Sequence, residues 1–186
     1  MQFARSQASL DRHLQRAVAA DLNYPETHAT ANGAQPSGYR HDHYRKVVGR
    51  GDAVCSRAGD ALRGWEVQRG AGLGVYPVEA PVTAGITVLF LAPAGPVRIV
   101  VPCRVLYLVD EERRIGFAYG TLDGHPESGE ERFVVEWQDD DRVAFSVTAF
   151  SRPDDWLARL GGPMTRRIQV RTTKRYLWAM RRIMAL

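Results

Sequence analysis

Lysine is almost missing from this chain. Of its 25 basic residues only Lys46 and Lys174 are lysine. The arginine excess reads as the mark of a GC-rich genome, because a formal net charge of +4 speaks to association rather than to fold or partner. Cysteine is as scarce: Cys55 and Cys103 stand alone, without metal or disulfide spacing. They are expected as free, buried thiols of a reducing compartment. Long apolar runs are absent too. The longest, Ile86–Pro96, is too short to cross a bilayer as a helix. Arg5, Asp11, Arg12 and Arg16 break up Met1–Leu22, so no secretion leader is expected, and the protein should be soluble and cytoplasmic. The chain has no G-x-S-x-G elbow, which removes α/β-hydrolase chemistry. Gly70-x-Gly72-x-Gly74 lacks the spacing and the following helix of a dinucleotide fingerprint, and no cofactor is expected.

What is present centres on Ile115–Phe133, IGFAYGTLDGHPESGEERF. Ile115, Phe117, Tyr119 and Thr121 alternate with Gly116, Ala118 and Gly120, a period-2 strand with bulk on one face and little on the other. A face so small implies close approach by a helix, a backbone or a ligand. Asp123-Gly124, Pro126 and Gly129 interrupt the strand. From Glu130 the chain is extended again, with Glu131, Phe133, Val135 and Trp137 on one side. The loop between the two strands gathers His125, Glu127, Glu130, Glu131 and Arg132 at one end of a sheet.

The other elements follow from periodicity and punctuation. Leu10, Leu14, Val18 and Leu22 mark an amphipathic helix over Ser9–Leu22. Asn23–Ser37 reads as a loop and Tyr39–Val48 as extended. Asp52 is the expected N-cap of a helix through Trp65. Strands are expected at Ile86–Leu91, Val97–Val109, Arg114–Leu122, Glu130–Gln138 and Arg142–Phe150. Their short links make an antiparallel meander, with a bulge or break at Pro102. Val97, Ile99, Val101, Cys103, Val105, Tyr107 and Val109 form one apolar face. Ser151-x-x-Asp154 has the form of a helix cap. The helix after it would bend at Gly161-Gly162-Pro163 and carry an inward stripe including Leu157, Met164, Ile168, Thr172, Tyr176 and Met180. Between Arg152 and Leu186 stand nine Arg or Lys and two Asp, expected on a solvated face.

This is an α+β arrangement: an antiparallel sheet with one apolar face, covered by one long C-terminal helix. It resembles the helix-grip fold of START-like and birch-pollen-allergen-like domains, a resemblance that implies a hydrophobic cavity between curved sheet and helix. The expected division is a helix and loop at 1–37, packed on or appended to a helix-grip domain at 38–186. At the level of motifs, NYPE (Asn23–Glu26), GYRHD (Gly38–Asp42), the FAYGTLDGHPESGEERF run and AFSRP (Ala149–Pro153) resemble an uncharacterised bacterial and plant family, a domain of unknown function numbered nineteen-ninety in its series. That family implies no catalytic residues.

The candidate ligand-binding residues are Tyr119, Thr121, His125, Glu127, Arg132, Met164, Ile168 and Tyr176. The expected partner is a small apolar molecule, with no nucleic acid and no membrane span. A metal site is not expected. Adjacent Glu130 and Glu131 point to opposite faces of a strand, so only one can join His125, and the His41-x-His43 pair has no third ligand and lies among cations. Cys103, on the apolar face, is expected to pack rather than react. Two rival functions remain open: acid/base catalysis in the same cavity by His125 or Glu127, and an interaction module using the basic helix on nucleic acid or an anionic surface. An enzyme would place a perturbed titratable group in the cavity, whereas a nucleic-acid protein would cluster arginines and aromatics on one exposed face.

Overall fold

A computed structural model describes residues 2–4, 6–94, 97–154 and 174–185. Its elements run β1 (Gln2–Ala4), α1 (Gln7–Ala19), α2 (Ala29–Asn32), β2 (Arg40–Arg50), α3 (Asp52–Arg63), α4 (Glu66–Gly70), β3 (Gly74–Tyr76), β4 (Thr87–Ala94), β5 (Val97–Glu111), β6 (Arg114–Thr121), β7 (Glu127–Trp137) and β8 (Arg142–Pro153). A last helix, α5, covers 174–184. Strands β4 to β8 pair in sequence order as a meander. The full antiparallel order is β2-β8-β7-β6-β5-β4-β3, and β1 pairs with the start of β5. The sheet is curved and the fold is a helix grip.

The sheet has two covered faces. On the front, Val88, Phe90, Cys103, Val105, Phe117, Phe133 and Phe145 are buried against Leu62 of α3, Trp65 and Val67 around α4, and Tyr176 and Met180 of α5. At about 25 cal/mol per Å2 of apolar area, these large side chains carry most of the driving force for folding. On the back, α1 packs Ala17, Leu10 and Leu14 on Leu89 and Val100. Farther along, Tyr24, Ala29 and Tyr39 close around Phe150. Arg104 reaches from β5 to the end of α1 and donates from Nη2 to the carbonyls of Ala17 (3.1 Å), Val18 (3.0 Å) and Ala20 (3.0 Å). A guanidinium there adds donors to carbonyls of the helix end, of which that of Ala17 also accepts from the Ala20 N–H at 3.2 Å.

The structure corrects the sequence reading in several places. Val18, expected on the buried stripe of α1, is 60% exposed, and Ala17 takes its place. Asp52 is the first residue of α3 rather than its cap, which is Gly51. The strand β5 bulges between Val105 and Tyr107, not at Pro102. Pro102 is tolerated in register with Leu89, because on its other side β1 ends at Val100 and β6 begins at Cys103. The bulge reverses the alternation, so Tyr107, opposite Ala118, turns to the back instead of continuing the face of Cys103 and Val105. Ser151 is not a helix cap: β8 continues to Pro153, which lies opposite Glu127, and Ser151 lies opposite both Gly129 and Arg40.

Candidate functional site

Residues Glu130 and Glu131 are neighbours on β7, so their side chains leave on opposite faces of the sheet. Their surroundings make two different polar centres.

Glu130 faces the back and is 2% exposed. Its carboxylate accepts from the backbone N–H of His28 (2.8 Å) and of Thr30 (3.0 Å), from the Tyr24 hydroxyl (3.2 Å) and from the Thr30 hydroxyl. His28 holds a left-handed backbone, φ 65°, which aims these N–H groups at the carboxylate. Its ring stacks on Tyr107, whose hydroxyl lies 2.6 Å from Thr30 Oγ1. This centre is complete: every oxygen of the buried carboxylate has donors, and it fastens residues 24–30 to the sheet. It also explains the small face of β6. A Cβ on Gly120 would stand 2.2 Å from the Tyr24 hydroxyl, so Gly120 makes room for the N-terminal segment and not for a ligand.

Glu131 faces the front and is half-buried. Tyr119, opposite it on β6, donates its hydroxyl to Oε2 at 2.5 Å, and the Tyr176 hydroxyl of α5 lies 3.4 Å from that of Tyr119. The walls are aromatic: Tyr176 meets Phe133 edge-on at 5.1 Å, and Phe90 lies 5.1 Å from Tyr119. Desolvation raises the Glu131 carboxyl from its ordinary 4.5 to about 7; the Tyr119 hydrogen bond opposes the rise, and the negative charges of Glu127 and Asp42 add to it. Burial and then the Glu131 charge hold Tyr119 and Tyr176 well above the usual phenol range. Burial likewise pushes up the Cys103 thiol, on the same face. Cys55 and Cys103 are both free and buried.

The sequence-derived candidates therefore divide. Tyr119 and Tyr176 come together. Glu127 opens β7, close enough for its charge to act on Glu131. Thr121 knits the loop: its hydroxyl accepts from Gly129 N–H at 2.9 Å, donates to the Gly129 carbonyl at 3.1 Å and engages Asn23 Oδ1. His125 is 8% exposed, and its Nδ1 accepts from Glu127 N–H at 2.9 Å. Burial drives its imidazole down to about 3, and the Glu127 bond uses the lone pair that protonation would consume. Arg132 lies opposite Ala118 and Thr148 on the back, away from Tyr119. Met164 and Ile168 lie outside the described residues, as does the expected bend at Gly161–Pro163. Elsewhere, His41 Nε2 meets the Pro36 carbonyl at 2.9 Å and His43 Nδ1 meets Thr148 Oγ1 at 2.9 Å. Among the described residues no group of three or more His, Cys, Asp or Glu is arranged to hold a metal ion. A separate crevice of about 50 Å3 lies between α3 and the β5–β6 turn, lined by Leu62, Val82, Leu108 and Phe117 among others. Glu131 was the residue that sequence reasoning missed. The available signal was a lone carboxylate heading the apolar series Phe133, Val135 and Trp137.

A family model described as a domain of unknown function, DUF1990, matches residues 23–179. The chain belongs to that family. The match takes in both glutamates, the loop between β6 and β7 and the described part of α5 as far as Ala179. A UPF0548 protein of Deinococcus radiodurans is 36% identical over 166 residues, 83% of each chain. One from Dictyostelium discoideum is 33% identical over 140 residues, covering 69% of this chain and 65% of its own. One from Arabidopsis thaliana is 30% identical over 133 residues, covering 68% and 64%. Among solved structures, a hypothetical protein from Helicobacter pylori aligns with a TM-score of 0.57 at 10% identity, over 86% of this chain and 94% of its own. Ara h 8.0201 aligns with a TM-score of 0.55 at 11% identity, over 80% of this chain and all of its own. At such identities the likeness is one of fold alone.

Proposed function

We propose that this DUF1990 protein binds a small, mostly apolar molecule bearing one hydrogen-bonding group, in a cavity between the front of the sheet and the C-terminal helix. Glu131, Tyr119 and Tyr176 are the polar contacts in this reading, and Met164 and Ile168 extend the apolar wall. The supporting observation is the Glu131–Tyr119–Tyr176 cluster on an otherwise aromatic and aliphatic face. A carboxylate there is expensive to desolvate, and an apolar residue would pack the same space without that penalty. A few converging polar groups on an apolar wall are what orient a small ligand. His125 and Thr121 keep the adjoining loop in place. No helix among the described residues is long and apolar enough to cross a membrane, and with two free thiols we place the protein in the cytoplasm.

One observation favours a second reading, proton transfer in the same cavity: a carboxyl near 7 is suited to acid/base exchange at neutral pH. The base in that reading is Glu131, not His125, whose affinity for a proton is suppressed.

Titration with the neutral dye Nile red tests the binding reading. Saturable one-to-one enhancement is expected with the folded protein, weakened about fivefold or more by Tyr119→Phe or Glu131→Gln. Absence of saturable binding, or equal binding by both variants and the parent, refutes it.

A further inference from the structure

The exposed side of α5 carries one chemistry. Lys174, Arg175, Trp178, Arg181 and Arg182 are all exposed, while Tyr176, Ala179 and Met180 are buried in the core. At 3.6 residues per turn the five exposed positions fall within about a third of the helix circumference. Trp178 is 53% exposed, and the Arg182 guanidinium stands 5.1 Å above its ring. None of the four cations makes an ion pair among the described residues. From Trp156 to Leu186 the sequence holds eight Arg or Lys and no Asp or Glu. Among the described residues the charge of this face is thus unanswered by an ion pair, and a large aromatic ring sits at its centre.

We propose that this face docks the protein on an anionic lipid surface. Cations on a helix are drawn to acidic headgroups, and tryptophan favours the boundary between headgroups and acyl chains. The burial of Tyr176, Ala179 and Met180 fixes α5 along the protein with its charged third outward, a face that can lie on a plane. Among the described residues this face holds one exposed tryptophan, already covered on one side by Arg182, which makes a poor platform for stacked bases. The proposal does not depend on what the cavity holds.

Vesicle sedimentation with the full chain provides the test, comparing phosphatidylcholine alone with phosphatidylcholine containing 30% phosphatidylserine. The expected result is binding to the acidic vesicles only, lost at high salt. Each cation replaced by glutamine should weaken partition about fivefold. Trp178→Phe should remove a blue shift of tryptophan emission that accompanies binding. Nile red binding by the quadruple Lys174→Gln, Arg175→Gln, Arg181→Gln, Arg182→Gln variant should be unchanged, which separates this proposal from the one about the cavity. If the quadruple variant does not fold, the Arg181→Gln, Arg182→Gln pair serves instead. Failure of the parent protein to bind acidic vesicles, binding undiminished in the folded variant, or tighter binding to duplex or single-stranded oligonucleotides than to vesicles would each overturn the proposal.

Discussion

Two titratable groups, His125 and Glu131, should oppose each other in the pH dependence of stability. Glu131 has a folded pKa of about 7 against an ordinary 4.5. Because its folded value is raised, its favourable contribution is complete below 4.5 and is lost as pH rises through 7. His125 has a folded pKa of about 3 against an ordinary 6.5. Its folded value is depressed, so its contribution is complete above 6.5 and is lost as pH falls toward 3. At 1.36 kcal/mol per pKa unit, each effect changes by about 2 kcal/mol between pH 5 and 7, with opposite sign. The half-burial of Glu131 makes its figure an upper bound. The parent protein should therefore show a nearly level stability across that window. Glu131→Gln unmasks His125, and stability should fall by about 2 kcal/mol from pH 7 to 5. His125→Asn keeps an acceptor near Glu127 N–H and removes the titration, so stability should rise over the same interval. Urea unfolding at pH 5, 6, 7 and 8, followed by tryptophan fluorescence, measures all three. Parallel pH profiles for the parent and both variants would refute the reasoning, as would a slope of the wrong sign in either variant.

Glu130→Gln should behave unlike its neighbour. It replaces an acceptor-only carboxylate beneath two backbone N–H groups and two hydroxyls, and should cost about 3–5 kcal/mol at pH 7 in urea unfolding, with faster amide exchange at residues 24–33. Gly120→Ala pushes a methyl against the Tyr24 hydroxyl; a loss of about 1–3 kcal/mol in thermal unfolding is expected, with Nile red binding intact. Cys55 of α3 and Cys103 of β5 are buried in the core on the front side of the sheet. Their labelling by a thiol reagent should follow the rate of unfolding, and fast labelling of either in the native protein would contradict that burial.

The meander and its covering helix were legible because they rest on signals that tertiary context rarely overrides. These are strong period-2 runs with short Asp- and Gly-rich links, and a long apolar stripe at the end. The errors arose where one signal has two physical readings. Gly120 announced a close approach, but nothing local says whether a ligand or Tyr24 makes it. Ser151-x-x-Asp154 fits a capping box, yet strand pairing with Gly129 and Arg40 outweighs it. The bulge between Val105 and Tyr107 leaves no mark in the apolar alternation of β5, so the reversal of Tyr107 was invisible. Of the site, the two tyrosines could be found from strand face and helix stripe. Glu131 was separable from Glu130 by its place at the head of the Phe133, Val135 and Trp137 face, but no local signal told that residues 24–30 cover the other carboxylate.

The charged rim of the sheet bears on how the protein behaves when concentrated. Among the described residues strand β2 is at one end of the sheet order and pairs with β8 alone, so its other side is an edge open to a further strand. Those eleven residues include Arg40, Arg45, Lys46 and Arg50. A second copy adding edge to edge would set these cations against their own counterparts, and like charges directly opposed across a strand pair repel. The rim therefore disfavours β2-to-β2 pairing of two copies, and the protection should weaken as salt rises.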